Sequence, residues 1–247
     1  MRGFMKVVAI IQARMGSTRL PGKILKEVNG KTLLEYQIER VQRSSNINEI
    51  IVATTTNETD EPIVRLCRNL GIACYRGSEQ DVLGRYFEAA TDYGANVVVR
   101  LTSDCPLIDP VIIDDVIQYY QSNQDLLDYC SNTIKRTFPR GLDVEVFSYE
   151  ALENAHENAI LDRDREHVTA YIYTNPAQFN LDGIEYKQDL SHYRWTVDTI
   201  EDLELIDKII DALYPLNKEF LLQNVLNLLI ENPSWNEINA NVEQKKL

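Results

Sequence analysis

The chain has 247 residues, of which 44% are hydrophobic, and its 25 lysines and arginines against 38 aspartates and glutamates give a formal net charge of −13. This length and composition suit one α/β domain with a sizeable core. An acidic surface repels nucleic acids, so nucleic-acid binding is not expected, and a small anionic substrate needs a local cluster of cations. No apolar run approaches the roughly 20 residues that span a bilayer, which argues against membrane insertion.

The start of the chain and its cysteines indicate a cytoplasmic protein. The first four residues precede a second methionine, Met5, and are interpreted as a leader or an upstream start outside the fold. A signal-peptide pattern is absent. Because the four cysteines show no C-x-x-C spacing, free thiols are expected, and three histidines in the whole chain argue against a structural zinc site.

The first hundred residues alternate between short apolar runs and amphipathic stretches. The predicted strands cover residues 6–11, 49–54, 72–75 and 96–101. Helices are predicted from the capping-box spacing of Thr32 and Glu35, over residues 61–70 up to Gly71, and from the spacing of Ser78 and Asp81. Strands that alternate with helices predict a parallel sheet covered by helices on both faces.

After residue 102 this alternation is lost. Asp109 and Pro110 predict the start of a helix that runs to about Gln121. Further strands are predicted over 127–130, 142–147 and 193–197, and further helices over 151–160, 167–173 and 203–230. The last helix follows the capping spacing of Thr199 and Asp202. We therefore predict a single domain over residues 5–240 with a non-repeating insertion at about 132–192.

Residues 10–23, I-I-Q-A-R-M-G-S-T-R-L-P-G-K, follow the first predicted strand directly and concentrate positive charge in an acidic chain. Ligands of a doubly wound sheet bind beyond the carboxyl ends of its strands. Gly16 and Gly22 let the backbone approach phosphate oxygens, and Arg14, Arg19 and Lys23 supply the cations. This pattern predicts a cradle for a polyphosphate, although a solvated basic loop with turn glycines fits the same residues.

The run A-R-M-G-S-T-R-L-P-G-K resembles the A-R-x-x-S-x-R-x-P-G-K signature of the cytidylyltransferases that make CMP-activated acidic sugars, such as CMP-Kdo and CMP-acylneuraminate synthetases. With D-C-P-L-I-D-P and D-R-E-H-V-T, the chain is more similar to the spore coat polysaccharide biosynthesis protein F branch. The resemblance extends from residue 6 to about 202. It implies a Rossmann-like GT-A (nucleotide-diphospho-sugar transferase) α/β/α sandwich, a mostly parallel sheet, a small inserted β/α subdomain and a homodimer.

The resemblance also implies a nucleotide site and a metal site. Its nucleotide-binding positions in this chain are Gln12, Ala13, Arg14, Gly16, Ser17, Arg19 and Lys23, of which Arg14, Arg19 and Lys23 act on the triphosphate. Asp104 of the x-D-x-P motif and Asp198 of the V-D-T-x-E-D-L motif match the aspartates that hold Mg²⁺, a hard cation that prefers carboxylates. Acidic residues near strand ends also serve as helix caps, which is our interpretation of Asp109.

The segment G-S-E-Q-D-V-L-G-R-Y resembles the part of the family that lies near the nucleobase. It makes Ser78, Asp81 and Arg85 candidates for binding the base or the ribose. A structural interpretation is equally open, because Ser78 and Asp81 have the spacing of a helix cap and Asp81 and Arg85 that of an i, i+4 ion pair. Tyr86 and Phe87 are predicted to be core residues rather than a stacking platform.

The insertion supplies the candidate acceptor site and a candidate dimer contact. Its acceptor-binding candidates are Arg140, Asp143, Glu145, Arg165, Glu166 and His167. Carboxylates on one strand face accept hydrogen bonds from sugar hydroxyls, and a histidine is suited to accept the proton of the attacking hydroxyl. A charged helix face, a solvent-facing strand edge or the dimer contact explains the same residues.

The predicted reaction is attack of a sugar hydroxyl on the α-phosphorus of CTP, with Mg²⁺ as cofactor and pyrophosphate as leaving group. By resemblance the sugar is acidic and the product serves surface or spore-coat polysaccharide biosynthesis. A GT-A glycosyltransferase is the first alternative, but the expected D-x-D motif is replaced by T-S-D-C-P, with Ser103 in the first position. Sugar-phosphate nucleotidyltransferases of the glucose-1-phosphate type are a neighbouring family, but they have glycine where this chain has Arg14.

A catalytically idle binding subunit is the second alternative. It is disfavoured because such a subunit has no need for a complete set of cradle cations.

Overall fold

The computed structural model describes residues 5–244, so the first four residues, which the sequence set apart as a leader, lie outside it. The strands in chain order are β1 (Val7–Gln12), β2 (Glu27–Val28), β3 (Lys31–Thr32), β4 (Glu49–Thr55), β5 (Ala73–Gly77), β6 (Val97–Thr102), β7 (Tyr129–Ser131), β8 (Glu145–Ser148) and β9 (Leu181–Asp182). The α-helices are α1 (Leu33–Val41), α2 (Glu61–Leu70), α3 (Val82–Asp92), α4 (Pro110–Asn123), α5 (Tyr149–Asn158), α6 (Asp162–Glu166), α7 (Ala170–Thr174), α8 (Ile200–Leu213) and α9 (Leu222–Glu231). Single 3₁₀ turns cover Lys23–Leu25, Glu58–Asp60 and Pro233–Glu237.

Seven strands form one sheet in the order β5-β4-β1-β6-β8-β7-β9, while β2 and β3 make a separate ribbon. The neighbours β5, β4, β1 and β6 are parallel, and β8 joins them antiparallel to β6. The chain moves from β1 to β4 on one side and later returns to place β6 on the other side of β1. The crevice beyond the carboxyl ends of β1 and β6 is therefore the topological switch point, where ligands of such sheets bind.

Both faces of this sheet are buried, as expected for parallel strands covered by helices. In β1, Val7, Ala9 and Ile11 face a core that is completed by α1, α4, α8 and α9. Val8 and Ile10 face a second core, completed by α3, α5 and α7. The architecture is thus the predicted α/β/α sandwich with a mostly parallel sheet.

Helix starts follow the predicted capping residues. Thr32 and Glu35 form the capping box of α1, and Thr199 and Asp202 form that of α8. Asp109 caps α4 by accepting a hydrogen bond from the backbone N–H of Val111. These side chains satisfy N–H groups that have no partner within the helix.

Four predicted elements differ from the structure, the first being the strand predicted over 142–147, which begins only at Glu145 as β8. The helix predicted over 167–173 is found as α7, but it begins only at Ala170, because Val168 has a left-handed φ of 54°. The predicted helix over 203–230 is two helices, because residues 214–221 form a turn between α8 and α9. Residues 193–197 are extended but not a strand, since they make only a single bridge, between Arg194 and Arg140.

Residues 132–192 contribute β8, β9 and α5–α7, with β8 paired to the central sheet. The single domain over 5–240 and the dimer contact stay predictions. None of the helices in residues 5–244 is long and apolar enough to cross a bilayer. The four cysteine thiols are free, as predicted.

Candidate active site

The loop after β1 folds back on itself beside the carboxyl end of β6. The carbonyl of Met15 accepts hydrogen bonds from the N–H groups of Ser17 and Gly22, and Gly22 has a φ of 66°, which favours glycine. The result is a cavity of about 270 Å³, called the cradle cavity here. Its lining includes Gln12, Arg14, Gly16, Ser17, Arg19, Lys23, Asp104 and Asp198.

Lys23 lies between the two aspartates that the sequence singled out. Its Nζ donates to Oδ2 of Asp104 at 3.0 Å and to Oδ1 of Asp198 at 2.7 Å. Arg19 Nη2 is 2.8 Å from the other oxygen of Asp198. Asp104 follows β6 and Asp198 precedes α8, so residues far apart in the chain meet at one point.

This contact favours the charged forms of Lys23 and Asp198. Burial lowers the pKa of Lys23, but the carboxylates of Asp104 and Asp198 outweigh it and raise that pKa above its usual value. Burial raises the pKa of Asp198, yet Lys23, Arg194 and Arg19 together hold it below the usual range. Lys23 and Asp198 therefore form an ionised pair at neutral pH.

Arg194 and Asp202 position Asp198 from behind. Arg194 donates from Nη2 to Oδ2 of Asp198 at 2.9 Å, and from Nε to Oδ1 of the fully buried Asp202 at 2.8 Å. Asp202 Oδ2 in turn accepts from the backbone N–H of Asp198 at 2.9 Å. Arg194 was not predicted from the sequence; the signal that could have indicated it is a spacing of four residues from Arg194 to Asp198 and of four more to Asp202.

The donor set fits a hard divalent cation. Asp104 and Asp198 present carboxylate oxygens to the same cation, the Lys23 ammonium, which occupies the space between them. Residues 5–244 contain no cluster of three or more histidine, cysteine, aspartate or glutamate side chains suited to a metal. Two carboxylates are nevertheless typical of Mg²⁺ sites that are completed by water and substrate phosphates.

Arg14 connects the cradle cavity to a second one. It also lines a cavity of about 470 Å³, the Arg165 cavity, whose other lining residues are Glu79, Gln80, Asp162, Arg165 and Glu166. The Arg14 guanidinium makes no hydrogen bond or ion pair with any residue in the range 5–244. It is therefore a cation of the loop that is available to a ligand.

The residues predicted near the base have mainly structural contacts. Asp81, rather than Ser78, caps α3, and its side chain pairs with Arg165. The alternative ion pair between Asp81 and Arg85 is wrong, because Arg85 is fully buried and donates from Nη1 to the carbonyl of Ser78 at 2.6 Å. Tyr86 is a core residue, as predicted, with its ring completely buried.

A third cavity, of about 470 Å³, contains two buried or half-buried ion pairs and is called the Glu145 cavity here. Glu145 pairs with Arg100 directly across β8 and β6, and Asp143 accepts two hydrogen bonds from Arg136 at 2.6 and 2.8 Å. Thr169 Oγ1 donates to Glu145. The sequence signal for Arg100, which we missed, is one charge inside the apolar run V-V-V-R-L.

The six predicted acceptor residues are divided over three cavities. Asp143, Glu145 and His167 line the Glu145 cavity, whereas Arg165 and Glu166 line the Arg165 cavity. Arg140 lines a fourth cavity next to Arg194. Part of this division follows from the end of α6 at Glu166, because Arg165 and Glu166 belong to the helix and His167 lies just beyond it.

Comparisons with known proteins agree with this geometry. The profile of the cytidylyltransferase family matches residues 8–235. The protein MJ1063 of Methanocaldococcus jannaschii is 40% identical over 243 residues, which are 98% of this chain and 97% of the relative. The spore coat polysaccharide biosynthesis protein SpsF of Bacillus subtilis is 35% identical over 207 residues, covering 81% and 84%. The 3-deoxy-manno-octulosonate cytidylyltransferase of Geotalea daltonii is 37% identical over 125 residues, covering 50% and 48%.

Solved structures give the same result. A cytidylyltransferase from Leptospira borgpetersenii has a TM-score of 0.91 at 37% identity, covering 98% of this chain and 100% of that one. CMP:2-keto-3-deoxy-manno-octonic acid synthetase complexed with CTP has 0.64 at 19%, covering 84% and 99%, and Rv0371C of Mycobacterium tuberculosis complexed with manganese has 0.56 at 14%, covering 83% and 99%. The last two share the Rossmann-like fold. The profile match and the near-complete coverage of its relatives show that this chain belongs to the cytidylyltransferase family and is a nucleotidyltransferase.

Proposed function

We propose that this enzyme transfers the CMP group of CTP to a hydroxyl of an acidic sugar and releases pyrophosphate, with Mg²⁺ as cofactor. The observation that carries the proposal is the convergence of Lys23 with Asp104 and Asp198 at the switch point. Cytidylyl transfer requires neutralised phosphates and a nucleophile in line, and little covalent chemistry from the protein. A cationic loop facing two carboxylates supplies this environment.

Arg14, Arg19 and Lys23 would bind the triphosphate and stabilise the departing pyrophosphate. Arg14 is available as it stands, while Arg19 and Lys23 contact Asp198 and would turn to the phosphates when substrate enters. Asp104 and Asp198 would then hold Mg²⁺, which supplies neutralisation of the phosphate charge. The manganese complex of the structural neighbour Rv0371C supports a divalent cation in this fold.

The nucleoside would extend from the cradle cavity toward the Arg165 cavity, which Arg14 also lines. Gln12 Oε1 is buried in the cradle and lacks a hydrogen-bond partner among the described residues, so it is an acceptor available to the ligand. Ala13, Gly16 and Ser17 would supply backbone contacts. Ser78, Asp81 and Arg85 would shape this end through the contacts they make with each other and with Arg165.

The acceptor sugar would bind in the Glu145 cavity, with Asp143 and Glu145 as hydrogen-bond acceptors and His167 as the group that takes the hydroxyl proton. The names of the relatives, a spore-coat polysaccharide protein and a 3-deoxy-manno-octulosonate cytidylyltransferase, support an acidic sugar and a role in surface or spore-coat polysaccharide synthesis. The free thiols support a reducing compartment such as the cytoplasm. A homodimer remains expected, and light scattering tests it.

The test is release of pyrophosphate from each nucleoside triphosphate with Mg²⁺ or Mn²⁺, over a panel of sugar acids. We expect turnover with CTP and formation of a CMP-sugar. Asp198→Asn should lower kcat at least ~10²-fold, the effect of losing one preorganised charge stabiliser. Asp211→Asn, the same change on the exposed side of α8, should leave kcat unchanged. Full activity of Asp198→Asn, or nucleotide release from a nucleotide-sugar instead of pyrophosphate release, would refute the proposal.

A further inference from the structure

The fourth cavity lies behind Arg194 and is lined by two arginines, one of them without an acidic partner among the described residues, in an otherwise acidic protein. This Arg140 cavity has a volume of about 490 Å³ and is lined among others by Arg140, His192, Arg194, Trp195, Asn239 and Gln244. Its lining within residues 5–244 contains no aspartate or glutamate, although the chain has 38. None of the residues proposed to hold the metal lines it, so it is separate from the cradle cavity.

Two guanidinium groups meet at this cavity. Arg140 and Arg194 are partners in the parallel bridge between their two extended segments, and bridge partners project to the same side. Arg194 is neutralised by Asp198 and Asp202. Arg140 is half-buried and has no hydrogen-bond or ion-pair partner for its guanidinium in the described part of the chain. A cation beside a like charge, partly out of water, favours an anionic ligand.

Trp195 provides a second, independent observation. Its side chain is 1% exposed and lines the cavity, yet Nε1 lacks a hydrogen-bond partner among the described residues. The indole N–H is a donor only, and buried donors in proteins are nearly always paired. The residues that line the cavity therefore include an unpaired cation and a tryptophan whose buried N–H is unpaired in the described residues, a donor that a small adjustment of the indole would offer to a ligand.

We propose that the Arg140 cavity binds a small polyhydroxylated molecule through an oxyanion, a carboxylate or phosphoryl group held by Arg140. Its volume lies in the range of small-molecule sites. The Gln244 amide suits a hydroxyl group of such a ligand through its nitrogen, since its oxygen accepts from Arg194, while Asn239 is held by hydrogen bonds to Arg194 and Asp202. This inference does not depend on the transfer reaction proposed above, and its test requires no turnover.

The test uses Trp195 as a reporter. The chain has two tryptophans, so Trp235→Phe leaves Trp195 alone. Inorganic phosphate and D-glucuronate are titrated into this variant at constant ionic strength, with sodium chloride as the control. We expect a saturable change in Trp195 emission with at least one probe, and a shift of the indole N–H resonance in the NMR spectrum. Response to phosphate identifies a phosphoryl ligand, and response to glucuronate alone a carboxylate ligand.

Two further substitutions locate the binding. Arg140→Gln should raise the dissociation constant at least about tenfold, because it removes the charge that holds the oxyanion. Arg14→Gln, which removes a free cation of the cradle, should leave it unchanged. A non-saturable response to both probes, or a response lost in Arg14→Gln and kept in Arg140→Gln, would overturn the proposal. If Arg140→Gln does not fold, the proposal is tested by the shift of the Trp195 indole N–H resonance in Trp235→Phe, which keeps Arg140. Absence of a saturable shift with both probes would then overturn it.

Discussion

At the scale of single residues, Lys23 occupies the space between Asp104 and Asp198 that a divalent cation would share with phosphates. Its side chain is 11% exposed, so the carboxylates face each other across a poorly solvated gap. Without substrate, the ammonium cancels their repulsion. Under the proposed function, the residue would serve as a counter-ion when no substrate is bound and as a phosphate ligand when substrate is bound.

Lys23→Met should therefore make the protein more dependent on metal. We expect it to lose about 2 kcal/mol of unfolding free energy in the absence of metal, because two half-buried carboxylates lose their partner. Mg²⁺ or Mn²⁺ should raise the Tm of this variant more than that of wild type, since no ammonium competes for the carboxylates. Thermal melts with and without metal measure this, and Lys26→Met is the matched control. Equal metal shifts in wild type and Lys23→Met would contradict it.

The same ion cluster makes stability depend on pH at both extremes. The lowered pKa of Asp198 contributes stability that is complete above the ordinary aspartate pKa of 3.8 and is lost as the pH falls through the lowered value. The raised pKa of Lys23 contributes stability that is complete below the ordinary lysine pKa of 10.5 and is lost as the pH rises through the raised value. The Tm difference between wild type and Asp198→Asn should be constant between these limits and shrink beyond both. A difference that varies between pH 5 and 9 would argue against this.

At the scale of elements, the first turn of α8 both begins the helix and holds Arg194 and Asp198 in place. Asp202 completes the capping box with Thr199, and the same carboxylate binds Arg194 and the backbone N–H of Asp198. The position of the Asp198 carboxylate, which we propose holds the metal, therefore depends on a helix cap. The Thr199–Asp202 pair, which the sequence indicates only as a capping box, therefore also positions side chains of the candidate site.

Asp202→Asn should separate these two functions. The amide still caps the helix but leaves the buried Arg194 without one of its carboxylates, which should cost about 3 kcal/mol. It should also lower kcat, because Arg194 then binds Asp198 alone and displaces it from the cradle. Urea denaturation and pyrophosphate release measure the two effects. Glu201→Gln, which changes an exposed acid in the same turn, is the control. Equal unfolding free energies of Asp202→Asn and Glu201→Gln would contradict a special role of Asp202.

Gly141 controls how closely the segment after Arg140 approaches the segment that carries Asp198. Its φ is 99°, and a Cβ would lie 2.6 Å from the carbonyl carbon of Trp195 and 2.7 Å from the nitrogen of Thr196. Gly141→Ala should therefore destabilise the protein by more than about 2 kcal/mol. Gly71→Ala is a matched control, because Gly71 also has a positive φ of 67° but no atom within 4 Å of its Cβ, so only the backbone cost remains. Similar unfolding free energies for both variants would contradict a role for the close approach.

At the scale of the whole molecule, the sequence predicted the parallel half of the fold better than the rest. The strand before the cradle and the caps at Thr32 and Asp109 have local signals, and the structure confirms them. The alternation at residues 193–197 is typical of a strand, but pairing partners depend on distant chain that no local pattern describes. The gap between α6 and α7 at Val168 could not be predicted either, since a β-branched residue rarely has a left-handed φ and the sequence therefore gives no signal for one.

The candidate site shows the same limit. Arg14, Arg19, Lys23, Asp104 and Asp198 were singled out by motif, and the structure brings them into one cavity, although their roles stay predictions. The acceptor set was grouped by nearness in sequence and is divided in space. Motifs preserve the order of residues along the chain, whereas cavities depend on which loops meet beyond the strand ends.

The contrast between the net charge of −13 and the cationic cradle should appear in the kinetics of CTP binding. At about 10 mM salt the Debye length is about 30 Å, so CTP, an anion, is repelled by the whole molecule, whereas at about 150 mM it is about 8 Å and only nearby charges act. Because the cradle cations act at contact, screening should weaken the distant repulsion more than the local attraction. Raising salt over this range should therefore increase the association rate constant of CTP by about two- to fivefold, as measured by stopped-flow binding. Above this range, where even contacts between charges are screened, the rate should fall, and this fall should be smaller in Arg14→Gln. A rate that falls steadily from the lowest salt would mean instead that the cradle dominates the field at every distance.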